Sequence, residues 1–185
     1  MLSSKEFEEI RKDMKKFEEE REQTIQRSRK IIQLSKQIIY SVHRNDLKSA
    51  ETLVEEIRKD MKMLPEHPHD TDMHKVAVQE YVEAVCYYEF AKNNKIPIRE
   101  ELQVDTEGYL LGLCDLTGEL GRKAVAEVIK KNFKEVDLIK SLVEEIYGEF
   151  LKFDLRNGEL RKKSDSIKWN LNRLEEVEYA LSMRK

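Results

Sequence analysis

Residues 7–42 read FEEIRKDMKKFEEEREQTIQRSRKIIQLSKQIIYSV, and this stretch decides the fold class. Its apolar side chains recur at alternating spacings of three and four residues, the pattern of a helix that buries one seam. Such a helix is roughly 57 Å long, whereas a compact chain of this size is only about 40 Å across. We therefore expect an elongated helical bundle whose exposed seam surface favours self-association. The apolar seam positions are Phe7, Ile10, Met14, Phe17, Ile31, Ile38 and Val42.

The rest of the chain is poor in the residues that make turns. The 185 residues include 6 Gly and 3 Pro, too few for a β-sandwich or a doubly wound α/β fold. The sequence predicts an all-α fold of about six to seven helices in one domain, residues 1–185. After the long first helix, we expect helices over residues 47–61, 72–93, 108–131, 136–153 and 158–185, with a short helical turn in residues 96–103.

Charge and composition narrow the functional classes. The net charge is −3 although 38% of the residues are charged, so any site for a polyanion must be a local basic patch. No run of 18 apolar residues exists, and the N-terminus is charged from Lys5 onward without an apolar signal-peptide core. The two cysteines, Cys86 and Cys114, lie in apolar helical context. We expect a cytoplasmic protein with reduced thiols and no membrane association.

Two pairs of acidic residues stand out from the solvated helix faces. Glu80 and Glu83 in QEYVEA share a helix face that small and apolar residues border. Asp115 and Glu119 in YLLGLCDLTGEL lie four residues apart on the next long helix. That helix also holds four of the six glycines, each of which costs about 1 kcal/mol relative to Ala. We expect a helix or a ligand to approach the chain closely there.

The two acidic pairs can converge if their helices pack antiparallel, at about 8–10 Å between the helix axes. Oxygen-only ligands suit a hard cation such as Mg²⁺ or Mn²⁺. A salt-bridged or solvated helix face is the alternative interpretation. A di-iron bundle is not favoured, because it needs Glu-x-x-His on two helices. The one such pair, Glu66 and His69, is interrupted by Pro68.

Two basic features are candidates for phosphate contacts. Arg21 interrupts the apolar seam of the first helix together with Thr24 and Ser28, and Arg29 lies about two turns after Arg21. Residues 152–163 hold a second cluster, in which Lys163 is the last of five basic residues. A solvated helix surface and ordinary helix-end electrostatics are the alternatives for the two features.

Four stretches of the chain resemble the translin family. They are residues 28–44 (SRKIIQLSKQIIYSVHR), 79–84 (QEYVEA), 109–120 (YLLGLCDLTGEL) and 153–184, which begins FDLRNGELRKKSDSIKWN. The last stretch is most similar to the translin branch, whereas QEYVEA and DLTGEL are similar to the branch of translin-associated factor X. The combination suggests a single, archaeal-type member that carries the acidic residues of the factor X branch.

The resemblance implies a fold of about seven helices and a hollow, barrel-like homo-oligomer that binds RNA or single-stranded DNA. It also implies a Mg²⁺-dependent endoribonuclease in which Glu80, Glu83 and Asp115 are catalytic metal ligands and Glu119 is a supporting ligand. Arg29 matches a basic position in the first helix of both branches. The segment around residues 65–75 does not clearly match the basic, His-rich segment of translin. A non-catalytic nucleic-acid-binding oligomer and a helical scaffold remain the alternatives.

Overall fold

The computed structural model describes residues 2–65 and 71–183, and every regular element in these residues is a helix. Six of the seven helices match the predicted ones to within a few residues, and the short turn is α4. The pattern Glu66-x-x-His69 lies outside the described residues. The helices are α1 (Ser4–His43), α2 (Leu47–Lys62), α3 (Met73–Asn93), α4 (Arg99–Leu102), α5 (Thr106–Ile129), α6 (Phe133–Phe150) and α7 (Glu159–Ser182).

Local sequence explains where several of the helices begin and end. The Asp46 carboxylate accepts a hydrogen bond from the backbone N–H of Ser49, and so caps α2. Asp105 caps α5 in the same way, through the backbone N–H of Gly108 at 2.8 Å. α3 ends at Asn94, whose left-handed backbone conformation (φ 52°) closes the last turn.

The first helix overruns the bundle, as its length predicts. α1 has 40 residues, and its seam is buried only from Thr24 to Val42. The earlier seam residues are exposed, for example Phe7 at 42% and Met14 at 56%. Four turns of apolar seam therefore extend beyond the core of this chain.

Four helices form a row in the order α1, α3, α5 and α7, and all four run in the same direction. Along the α3–α5 contact, Val78 faces Gly108 and Val82 faces Gly112, so residue numbers rise together. These two helices therefore do not pack antiparallel, the arrangement that the sequence suggested as one way to bring the acidic pairs together. The segment of residues 94–105, which includes α4, returns the chain along α3 before α5 begins.

The same direction holds for the other neighbours in the row. Lys36 and His43 of α1 lie beside Glu80 and Tyr87 of α3, so residue numbers rise together. Lys163 and Asn170 of α7 likewise contact Asp115 and Thr117 of α5. α2 packs against α1 and α3, and α6 packs against α5 and α7. Both run in the direction opposite to the four helices of the row. Lys30 of α1, for example, pairs with Asp60 near the end of α2.

Two of the four glycines of α5 permit this close packing, as we expected. A Cβ on Gly112 would lie 2.5 Å from Cβ of Val82, and a Cβ on Gly108 would lie 2.5 Å from Cγ1 of Val78. The other two glycines do not have this role. A Cβ on Gly118 would have its nearest neighbour at 3.8 Å, and one on Gly121 would meet nothing within 4 Å.

Two further predictions concern the chain as a whole. Cys86 and Cys114 are both free and buried in the core. Within the described residues, no helix has both the length and the apolar character to cross a membrane.

Candidate functional site

The row of helices brings the four predicted acidic residues together. Because α3 and α5 run in the same direction, Glu80 and Glu83 lie beside Asp115 and Glu119. The charges of the other three carboxylates each raise the pKa of Glu83. We call these four residues the acidic cluster.

Glu83 is the most deeply placed member of the acidic cluster. Glu83 is only 9% exposed. Burial and the negative charge of Asp115 are the two largest causes that raise the pKa of Glu83 to about 8. Glu80 is half-buried, and burial likewise raises its pKa, although the nearby ammonium of Lys36 opposes the shift. Burial and the neighbouring carboxylates thus favour the protonated form of Glu83.

Asp115 is neutralised by a residue of the last helix. Nζ of Lys163 lies 2.9 Å from Oδ1 and 2.7 Å from Oδ2 of Asp115. The side-chain amide of Gln79, one turn before Glu83 on α3, also donates to Oδ2. Asp115 is therefore held from two sides, by α3 and by α7.

Glu119 is held from the opposite side of the row, by α1. Its Oε2 contacts Nε2 of His43, and the Nδ1 of that ring lies 3.0 Å from the hydroxyl of Tyr87. One neutral tautomer satisfies both contacts, because Nε2–H then donates to Glu119 while Nδ1 accepts from Tyr87. The hydrogen bond with His43 is the largest cause that lowers the pKa of Glu119.

The predicted basic residues divide into one near the acidic cluster and one far from it. Lys36 of α1 lies close enough to Glu80 to lower its pKa, and Arg29 is exposed on the same face, about 10 Å back along the helix. Arg21 is a further eight residues back and lies 3.9 Å from Glu18. The structure thus places Arg29 near the cluster and leaves Arg21 outside it.

The acidic cluster has the right kind of ligand atoms for a divalent cation, but its side chains are not arranged as a metal site. Four carboxylates provide the oxygen ligands that Mg²⁺ and Mn²⁺ prefer. As they stand, the described residues contain no group of three acidic, His or Cys side chains arranged to hold a metal ion. The ammonium of Lys163 lies beside Asp115, where a metal ion bound to this carboxylate would lie. The Mg²⁺ site therefore stays a prediction, and its assembly requires a change at Asp115.

Sequence reasoning missed the residues that hold the acidic cluster. The contacts of Lys163 and Gln79 with Asp115 bridge 48 and 36 residues of chain, and His43 lies 76 residues before Glu119. One signal was present in the sequence. Arg29, Lys36 and His43 follow each other at intervals of seven residues, and so share one face of α1.

The fold and the site together define a class of all-helical proteins in which same-direction helices hold a carboxylate cluster between basic side chains. Comparison with known families gives that class a name. The Translin family model matches residues 19–185, and the chain belongs to the Translin family.

Individual relatives agree with this assignment. A protein of Methanocaldococcus jannaschii is 31% identical over 153 residues, which are 78% of this chain and 68% of the relative. Chicken translin is 36% identical over 81 residues, 44% of this chain but only 35% of translin. The translin-associated protein X of rat is 25% identical over 211 aligned positions, 88% of this chain and 72% of the relative.

Solved structures share the whole fold. The structure described as apo-NeC3PO superposes with a TM-score of 0.88 at 36% identity, covering 95% of this chain and 96% of the other. AfC3PO in complex with duplex RNA superposes with a TM-score of 0.80 at 25% identity, covering 97% and 98%.

Proposed function

We propose that this protein is a Mg²⁺-dependent endoribonuclease that acts as a barrel-like homo-oligomer. The observation that carries the proposal is the acidic cluster itself, in which four carboxyl groups from α3 and α5 lie together and burial and the neighbouring carboxylates raise the pKa of Glu83 to about 8. Family membership supports binding of nucleic acid and self-assembly. The structural similarity to AfC3PO, which was solved with duplex RNA, supports RNA as the substrate class.

The residues of the acidic cluster divide the work by their surroundings. Glu80, Glu83 and Asp115 are the proposed catalytic ligands, and Glu119 is the supporting ligand that His43 orients. Mg²⁺, with Mn²⁺ as a substitute, would polarise the scissile phosphate and lower the pKa of an attacking water. The exposed Arg29 and the nearby Lys36 are placed to contact phosphates on one side of the cluster.

The apolar seam of α1 supports self-association. Phe7, Ile10 and Met14 are exposed along the part of α1 that extends beyond the core. A second copy of the chain would cover this apolar surface, which the protein does not bury by itself. In the proposed assembly the acidic cluster faces the enclosed RNA.

The ion pair between Lys163 and Asp115 favours one alternative, a nucleic-acid-binding oligomer that does not cleave. If Lys163 never leaves Asp115, the acidic cluster lacks one ligand and only electrostatic binding remains. Single-stranded DNA is then an equally suitable ligand, because phosphate contacts do not require a 2′-hydroxyl.

A cleavage assay separates the two functions. End-labelled single-stranded and duplex RNA are incubated with the purified protein in Mg²⁺ or in EDTA. We expect cleavage in Mg²⁺ alone, and we expect Glu80→Gln and Asp115→Asn to lower its rate by about a hundredfold or more. Glu107→Ala, an exposed acidic residue of α5, is the matched control and should cleave normally. Salt-sensitive RNA binding without any cleavage by the wild-type protein would establish the alternative.

A further inference from the structure

We propose that Lys163 is an internal cation that alternates between Asp115 and the RNA backbone. Without a divalent ion it neutralises Asp115, and when Mg²⁺ occupies the acidic cluster its ammonium contacts a phosphate next to the cleavage site. This inference rests on the proposed Mg²⁺-dependent cleavage of RNA and adds a residue that the acidic motifs do not contain.

The geometry of the ion pair shows a direct competition. Lys163 approaches both oxygens of Asp115, at 2.9 and 2.7 Å, and Gln79 donates to Oδ2 as well. A metal ion that binds either oxygen would lie close to the ammonium and be repelled by it, so the two cations compete for Asp115. The rest of the acidic cluster would gain from the exchange, because a divalent ion brings more positive charge to Glu83 than a single ammonium does.

The surroundings of Lys163 allow it to move. Its side chain is 27% exposed and that of Asp115 is 26% exposed, so the pair is not enclosed by the core. The lysine ammonium ends a flexible four-carbon stem, which reaches several ångströms around its Cα. Lys163 is the fifth residue of α7. The first turns of this helix also carry the exposed Arg161 and Lys162. The released ammonium thus stays beside the cluster in a positively charged region.

The two positions of Lys163 couple metal binding to RNA binding. A phosphate that attracts Lys163 frees Asp115, so RNA strengthens the binding of Mg²⁺. By linkage, Mg²⁺ strengthens the binding of RNA by the same factor. Lys163 is therefore both a competitor of the metal in the resting protein and a substrate contact in the loaded one.

The test compares Lys163→Gln with Lys162→Gln, a matched control that removes the same charge from the neighbouring exposed residue. Mg²⁺ alone is titrated into each folded oligomer by calorimetry. We expect Lys163→Gln to bind Mg²⁺ about three- to tenfold more tightly than the wild type, since a partly exposed ion pair is worth up to about 1 kcal/mol and a charged hydrogen bond somewhat more. Lys162→Gln should match the wild type.

RNA binding supplies a second, independent measurement. A 2′-O-methyl RNA that resists cleavage is titrated in Mg²⁺ at several salt concentrations. We expect Lys163→Gln to lower the slope of log K against log salt by about 0.7 to 0.9, the contribution of one phosphate contact. Lys163→Met preserves the apolar stem and checks that any change arises from the lost charge rather than from misfolding.

The outcomes distinguish this inference from the proposed function. Equal or weaker Mg²⁺ binding by Lys163→Gln, with a wild type that binds Mg²⁺ and cleaves RNA, overturns the role of Lys163 alone. A wild type that neither binds Mg²⁺ nor cleaves, together with variants that do not bind it either, overturns the proposed function as well.

Discussion

The buried carboxyl of Glu83 makes the stability of this protein depend on pH in a direction that can be calculated. Its pKa rises from the ordinary 4.5 to about 8 in the folded chain. Between these two values the unfolded chain has lost the proton while the folded chain still holds it. The contribution of Glu83 to the free energy of unfolding therefore falls as pH rises, by about 1.4 kcal/mol per pH unit, and levels off above pH 8.

The variant Glu83→Gln removes this loss because the amide does not titrate. The stability of the variant relative to the wild type should increase from about zero near pH 4.5 to about 5 kcal/mol at pH 8. The pH-dependent part of the difference is the relevant quantity, since the amide changes local hydrogen bonding by a constant amount. Urea unfolding followed by circular dichroism, at pH 5, 6.5 and 8 in EDTA, measures it.

Two comparisons test the physical reasoning. Glu176→Gln, an exposed glutamate of α7, should follow the wild-type profile at every pH. Mg²⁺ should reduce the difference between Glu83→Gln and the wild type at pH 8, because a bound cation favours the ionised carboxylate. Parallel profiles of Glu83→Gln and the wild type in EDTA would show that Glu83 is not held as a neutral acid.

Two further predictions concern packing and RNA contacts. Gly112→Ala should lower the free energy of unfolding by about 2 kcal/mol, since its Cβ would lie 2.5 Å from Cβ of Val82, whereas Gly121→Ala should leave it unchanged or raise it by up to about 1 kcal/mol. Equal destabilisation in chemical unfolding would contradict this close contact. Arg29→Gln should lower the salt slope of RNA binding by about 0.7 to 0.9, and Arg21→Gln should lower it less because Arg21 lies beside Glu18. The opposite order in fluorescence anisotropy titrations would place the RNA path elsewhere.

The helices themselves follow from local sequence. Apolar spacing, the caps at Asp46 and Asp105 and the positions of proline are properties of neighbouring residues, so the predicted bounds agree with α1 to α7 to within a few residues. The acidic cluster could also be predicted from the sequence, because Glu80 and Glu83 must share a helix face at a spacing of three. Asp115 and Glu119 were selected in the same way at a spacing of four, and the resemblance to the translin family implies the same four residues.

The direction of packing was not accessible from periodicity. Apolar spacing says which face of a helix is buried, but it does not say which residue of the next helix lies opposite. Lys163 was therefore noted only as part of a basic segment, and its contact with Asp115 followed from the same-direction register of α5 and α7. His43 was not among the predicted site residues, and its contact with Glu119 emerges only from the packing of α1 in the row.

The same-direction row has a consequence for folding. Neighbouring helices of this row are not consecutive in the chain, because a segment that runs in the opposite direction separates each of them from the next. The contacts that build the site join residues 36, 44, 48 and 76 positions apart. Closing loops of this size slows folding relative to an ordinary up-and-down bundle of equal length. The acidic cluster lies on α3 and α5, but a fragment that lacks α1 or α7 loses the contact of His43 with Glu119 or that of Lys163 with Asp115, so the supported site is a property of the whole row.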